Sequence, residues 1–214
     1  MFTDSETELT TAATDALLGL VCIVLAVQLA AMPGSATWKR TVWMGVLGLM
    51  ACASILGAVV HGLALSDSTR AGLWRSLYLA LGLAVALVVV GGVSDWRGDD
   101  AARRVLPWTL AAGVLFVLVS QWLGGAFIVF IAYEAVATLM ALAMYVSLAQ
   151  SGSLPGAGLV AAGIAVSLIA AMIQMTSLSV RIVVSFDHNS LFHLIQMVGI
   201  VMMAMGIREG LTGR

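Results

Sequence analysis

Residues 45–62 read GVLGLMACASILGAVVHG. The stretch is apolar almost throughout, rich in Gly and Ala, and reaches a basic or acidic side chain only at His61. A helix crosses ~30 Å of hydrocarbon with about 18–20 such residues at 1.5 Å rise per residue. Small side chains let neighbouring helix backbones approach closely inside a bilayer. The stretch therefore reads as a membrane-spanning helix with a histidine near one end. Working outward, the same signature recurs to give seven windows, at approximately 13–32, 42–65, 71–94, 105–123, 125–149, 156–178 and 189–208. Turn and breaker segments separate them: MPGSATWKR, LSDSTRAG, SDWRGDDAARR, WLGG, QSGSLPG and SVRIVVSFDHN. A barrel would instead show alternating segments of about ten residues. The expected fold is all-α, a single integral membrane domain of seven transmembrane helices covering residues 1–214.

Composition supports that class. Hydrophobic residues are 61% of the chain and charged residues 10%, against about 25% charged in a soluble domain. Mean hydropathy is +1.06. No basic face suits nucleic acid. Cys22 and Cys52 lie inside apolar runs and read as small packing residues. The acidic opening MFTDSETELTTAATD lacks the basic start of a signal peptide, so the first span is expected to be retained. With the N-terminus outside, Lys39, Arg40, Arg97, Arg103, Arg104, Arg208 and Arg214 fall on the cytoplasmic side. Arg70, Arg75 and Arg181 fall outside, and this bias favours N-out, C-in. Pro33, Pro107 and Pro155 sit at expected helix edges. The twelve methionines read as packing. A retinal Schiff base is excluded, because Lys39, the only lysine, is not in the last helix.

Ionisable groups within spans are costly and point to function. Here they are Asp15, His61, Arg75, Glu134, Asp187, His188 and His193. In the N-out topology all seven fall in the outer half, so one polar cavity opening outward is expected. Glu134 lies ~13 Å below the outer end of its helix, a depth at which a carboxylate needs a partner. Arg75 and the histidines are the candidate partners. His61, His188 and His193 have the chemistry of zinc ligands, with Glu134 or Asp15 assisting a bound water or substrate. His188 and His193 are five residues apart, ~140° around a continuous helix. They converge only if His188 precedes the helix, with Asn189 or Ser190 as its N-cap.

At this level the chain resembles the alkaline ceramidase and progestin/adipoQ receptor superfamily, seven-helix proteins whose better-known members are zinc-dependent amide hydrolases acting on lipids. The likeness covers the whole chain in layout and rests on short motifs. ELTTAATD, Glu8 to Asp15, is similar to a bacterial ceramidase-type opening in which Glu is followed by Asn three and seven residues later; here those places hold Thr11 and Asp15. His61 matches the histidine of a Ser-x-x-x-His motif, with Gly57 in place of the serine. His193 matches the second histidine of a His-x-x-x-His motif, with Asn189 in place of the first. The third helix has no aspartate before Asp95.

The resemblance implies a bacterial cytoplasmic-membrane protein, a diverged hydrolase of lipid amide or ester bonds that binds zinc through His61, His188 and His193. The departures leave open a non-enzymatic protein: a small-ligand receptor, or a subunit packed in a larger membrane complex. A proton-coupled carrier using Glu134 is disfavoured by the lack of mid-helix proline breaks and of a repeat between halves. Membrane lipids, and other membrane subunits for the complex reading, are the expected partners.

Overall fold

The computed structural model describes residues 1–33, 37–125 and 127–213. Residues 34–36, within the expected MPGSATWKR turn, residue 126, and Arg214, expected on the cytoplasmic side, lie outside the described residues. Among the described residues there are seven α-helices: α1 (Glu6–Ala30), α2 (Trp38–Gly62), α3 (Asp67–Arg97), α4 (Asp99–Trp122), α5 (Phe127–Gln150), α6 (Ala157–Gln174) and α7 (His188–Thr212). All seven are long and apolar enough to cross a membrane. The fold is all-α apart from a short hairpin in which β1 (Val180–Arg181) pairs antiparallel with β2 (Ser185–Phe186).

The departures from the expected boundaries come from capping. α1 starts at Glu6 rather than near 13, because the Ser5 hydroxyl accepts the Glu8 N–H at 3.4 Å. Glu6 and Glu8 then sit in the first turn, where acidic groups complement the helix dipole. α4 starts at Asp99, so most of SDWRGDDAARR is helical and only Gly98, at φ +87°, breaks it. This extension leaves Pro107 inside α4 rather than at its edge. α6 stops at Gln174, and the hairpin occupies part of the segment read as a loop.

Packing partners define a ring. α1 lies against α2 and α7, α2 against α3, α3 against α5, α5 against α6, and α6 against α7. α4 lies outside the ring, mainly on α3, and Trp108, Leu115 and Leu118 are exposed. The closest approach joins α6 and α7. A Cβ on Gly163 would stand 2.5 Å from the Gly199 carbonyl oxygen, and one on Gly199 would stand 2.6 Å from Ser167 Oγ. Glycine at both places is what allows the two backbones to touch. Cys22 is buried as expected, whereas Cys52 faces outward.

The end of the ring opposite the N-terminus is closed by a polar lock. Lys39 and Arg40, expected in a loop, lie in the first turn of α2 and are buried. The Lys39 ammonium ion-pairs with Asp95 near the end of α3. The other Asp95 oxygen accepts the Tyr145 hydroxyl of α5 at 2.6 Å. Trp43 and Tyr145 pack beside it, with ring centroids 6.5 Å apart, and both are fully buried. Removing one partner of such a pair costs more than removing both, since it leaves an uncompensated buried charge. Lys39→Met is therefore expected to destabilise the protein by about 3–5 kcal/mol. Lys39→Met combined with Asp95→Asn is expected to lose clearly less; thermal unfolding of both variants in detergent checks this.

Candidate functional site

At the end carrying the N-terminus, the ring encloses a cavity of ≈ 390 Å³. Asp15 of α1, His61 of α2, Glu134 of α5, and His188 and His193 of α7 all line it. The five candidate residues read from the sequence thus face one space. Trp74 and Tyr78 of α3 and Phe130 of α5 supply aromatic walls. No Lys or Arg is among the described lining residues. A smaller apolar space of ≈ 70 Å³ adjoins it, and Met50, Leu81, Phe130, Glu134 and Gln196 line both. Glu134 therefore sits at the junction.

The hydrogen bonding of the site runs between α1 and its neighbours. His193 Nε2 lies 3.2 Å from Asp15 Oδ1, and both groups are buried. The carboxyl group of Asp15 and this ring nitrogen are within hydrogen-bond reach in either protonation state of the acid. Nδ1 then faces the Thr14 hydroxyl at 3.1 Å. On the next helix the His61 Nδ1 is 2.7 Å from Glu8 Oε2, and its ring meets Trp74 edge-on at 5.6 Å. Behind Asp15 stands Gly57: a Cβ there would overlap the carboxylate, with Asp15 Cγ 2.9 Å away. The glycine that replaces the expected serine is thus the residue that makes room for Asp15.

Two expectations are corrected by α7. Its N-cap is Asp187, not Asn189 or Ser190, so His188 does not precede the helix. The Asp187 carboxylate accepts the Ser190 N–H at 2.8 Å, the Ser190 hydroxyl at 2.9 Å and the Thr11 hydroxyl at 3.0 Å. Asn189 accepts instead from the Gln174 amide at 3.3 Å, joining α6 to α7. Partial burial by itself raises the Asp187 pKa, but the Ser190 and Thr11 donors outweigh it and hold the group below its ordinary 3.8. Arg75 is also not the partner of Glu134: its Nε donates to Gln121 Oε1 at 3.0 Å, tying α3 to α4. Among the described residues the Glu134 carboxylate has no hydrogen-bond or ion-pair partner.

Zinc requires three or four converging nitrogen, sulfur or oxygen ligands. Among the described residues no three His, Cys, Asp or Glu groups converge in this way. Both ring nitrogens of His193 face Asp15 and Thr14. His188 lines the cavity from the first turn of α7 without a hydrogen bond to another described residue. In this arrangement the three histidines do not form a zinc ligand set.

Sequence reasoning missed Glu8 as the partner of His61, and Thr14 as the partner of His193. The signal was present: Glu8, Thr11 and Asp15 follow one another at three and four residues, one face of a helix. That face required α1 to extend into the polar N-terminal segment.

Fold and site together define a seven-helix protein with an acid- and histidine-lined cavity enclosed by apolar helices. Residues 10–212 match the model of a family described as "Family of unknown function (DUF6962)", and the chain belongs to that family. No curated protein and no solved structure matches it.

Gly57→Ala is expected to destabilise by roughly 1–3 kcal/mol through overpacking. In an Asp15→Ala background the same change is expected to cost much less, and a double-mutant cycle of unfolding free energies measures the coupling. For Asp187, a depressed native pKa means that its stabilisation is present above pH 3.8 and lost as pH falls through the native value. Asp187→Ala is expected to cost about 0.5–2 kcal/mol at neutral pH, the range for a lost N-cap. That cost is expected to shrink below pH 3.8 in unfolding curves measured against pH.

Proposed function

We propose that the chain is an integral membrane protein, N-terminus outside, that binds a small amphiphilic molecule in the cavity on its outer side. The observation that carries this reading is the ≈ 390 Å³ cavity, lined by polar groups on α1, α2, α5, α6 and α7 and by aromatic and aliphatic side chains on α3 and α5. That volume is within the range of about 300–1,000 Å³ typical of small-molecule sites. The mixed lining suits a ligand with a polar head and an apolar body, drawn from the surrounding lipid. The exposed apolar face of α4 supports a further role for lipid or another membrane subunit as neighbour.

A second reading is a metal-dependent hydrolase of lipid amides or esters. It is favoured by the presence of all three histidines and both Asp15 and Glu134 on one cavity, and by the resemblance of the sequence layout to ceramidase-like proteins. It requires His193 to turn away from Asp15 and Thr14. In it His61, His188 and His193 would hold zinc, which would supply an activated water.

Native mass spectrometry of protein released from its membrane tests the first reading. About one amphiphile per chain is expected, as for a single enclosed site. Ala53→Phe, which fills the cavity from α2, is expected to abolish the adduct. No adduct, or an equal adduct in the variant, contradicts it. Turnover of ester or N-acyl lipids that is lost in chelator and in His61→Ala would establish the hydrolase instead.

A further inference from the structure

We infer that the ligand of the cavity is an organic cation, an amine or quaternary ammonium carried on an apolar body. This inference deepens the cavity-binding reading and rests on it. Four observations carry it. The first is charge: two carboxylates, Asp15 and Glu134, line the cavity, and no Lys or Arg does among the described lining residues.

The second is pairing. Asp15 is held by His193 at 3.2 Å, and the outlying Glu8 is held by His61 at 2.7 Å. Glu134 alone of these acids has no partner for its carboxylate among the described residues, and Arg75, expected from the sequence as its partner, is bonded to Gln121. The Glu134 carboxylate opens on the cavity without a cation or donor from the protein, so a bound cation would be its counterpart.

The third is the wall. Trp74, Tyr78 and Phe130 line the same cavity, with Trp74 and Tyr78 ring centroids 5.8 Å apart. Aromatic faces attract ammonium groups through the ring quadrupole, and several rings around one space are the usual means of holding a quaternary ammonium. The fourth is the join to the smaller space, where Met50 and Leu81 flank Glu134. A hydrocarbon body fits there while the charged head stays beside the carboxylate and the rings.

The test uses three probes of equal chain length: octyltrimethylammonium, octanol and octanoate. Each is titrated calorimetrically into the full-length protein in lipid nanodiscs, with empty discs as the blank. The cation is expected to bind saturably and at least about tenfold more tightly than either other probe, as for a desolvated cation among aromatic rings. Glu134→Gln is expected to reduce that preference to less than about threefold while octanol binding is retained. Trp74→Leu is expected to weaken the cation and leave octanol unchanged. Retained octanol binding shows that each variant is folded at the site. Octanol or octanoate binding as tightly as the cation overturns the inference and leaves the cavity-binding reading standing. An undiminished preference in Glu134→Gln also overturns it. Saturable binding of none of the three overturns both.

Discussion

The contact between the Asp15 carboxylate on α1 and the His193 imidazole on α7 closes the helix ring where it surrounds the cavity. A buried carboxylate with no counterpart would be expensive, and so would a buried imidazole with an unpaired N–H. Each removes the other's cost only while α1 and α7 stay in register. Thr14, one residue before Asp15, takes the second ring nitrogen and fixes the ring's orientation. Gly57 on α2 leaves the carboxylate the room it needs, so three helices agree on one geometry. One helical turn away, Thr11, Asp187 and Ser190 repeat the same link between α1 and the start of α7.

The two ends of the bundle are built differently. At the C-terminal end, Lys39, Asp95 and Tyr145 join α2, α3 and α5 around the largest fully buried rings, and glycine contacts draw α6 onto α7. At the N-terminal end the helices stand around open space, and their polar groups are partly paired and partly turned inward. A packed base under a polar chamber suits the proposed binding role, because binding is strongest when the site need not be assembled. Glu134 lies where these halves meet, facing both the polar cavity and the apolar space below it.

Much of this was legible in the chain itself. Apolar runs gave the seven helices, because in a bilayer every backbone group must be paired within its own segment. Depth in the spans assigned seven groups to one cavity; Asp15, His61, Glu134, His188 and His193 line it, whereas Arg75 and Asp187 are not among its lining residues. Pairing was not legible. Residue type marked the histidines as zinc ligands, but Glu8 and Asp15 are set against His61 and His193 by the early start of α1. That start depends on the Ser5 cap, a local signal that an apolar-window reading passes over. Arg75 shows the same limit: depth alone made it a partner for Glu134, whereas the position of α4 outside the ring gives it Gln121. Lys39 was placed in a loop by its charge, yet a charge with a partner on the neighbouring helix can be buried.

Carboxylate and hydroxyl partners hold His61 and His193, and Glu134 is left as the cavity carboxylate without a partner among the described residues. Nitrogen-15 magnetic resonance of histidine-labelled protein, before and after one equivalent of zinc, tests this pairing most directly. The ring signals of His193 are expected to stay unchanged when zinc is added. Zinc-induced shifts of His61, His188 and His193 together would contradict that pairing.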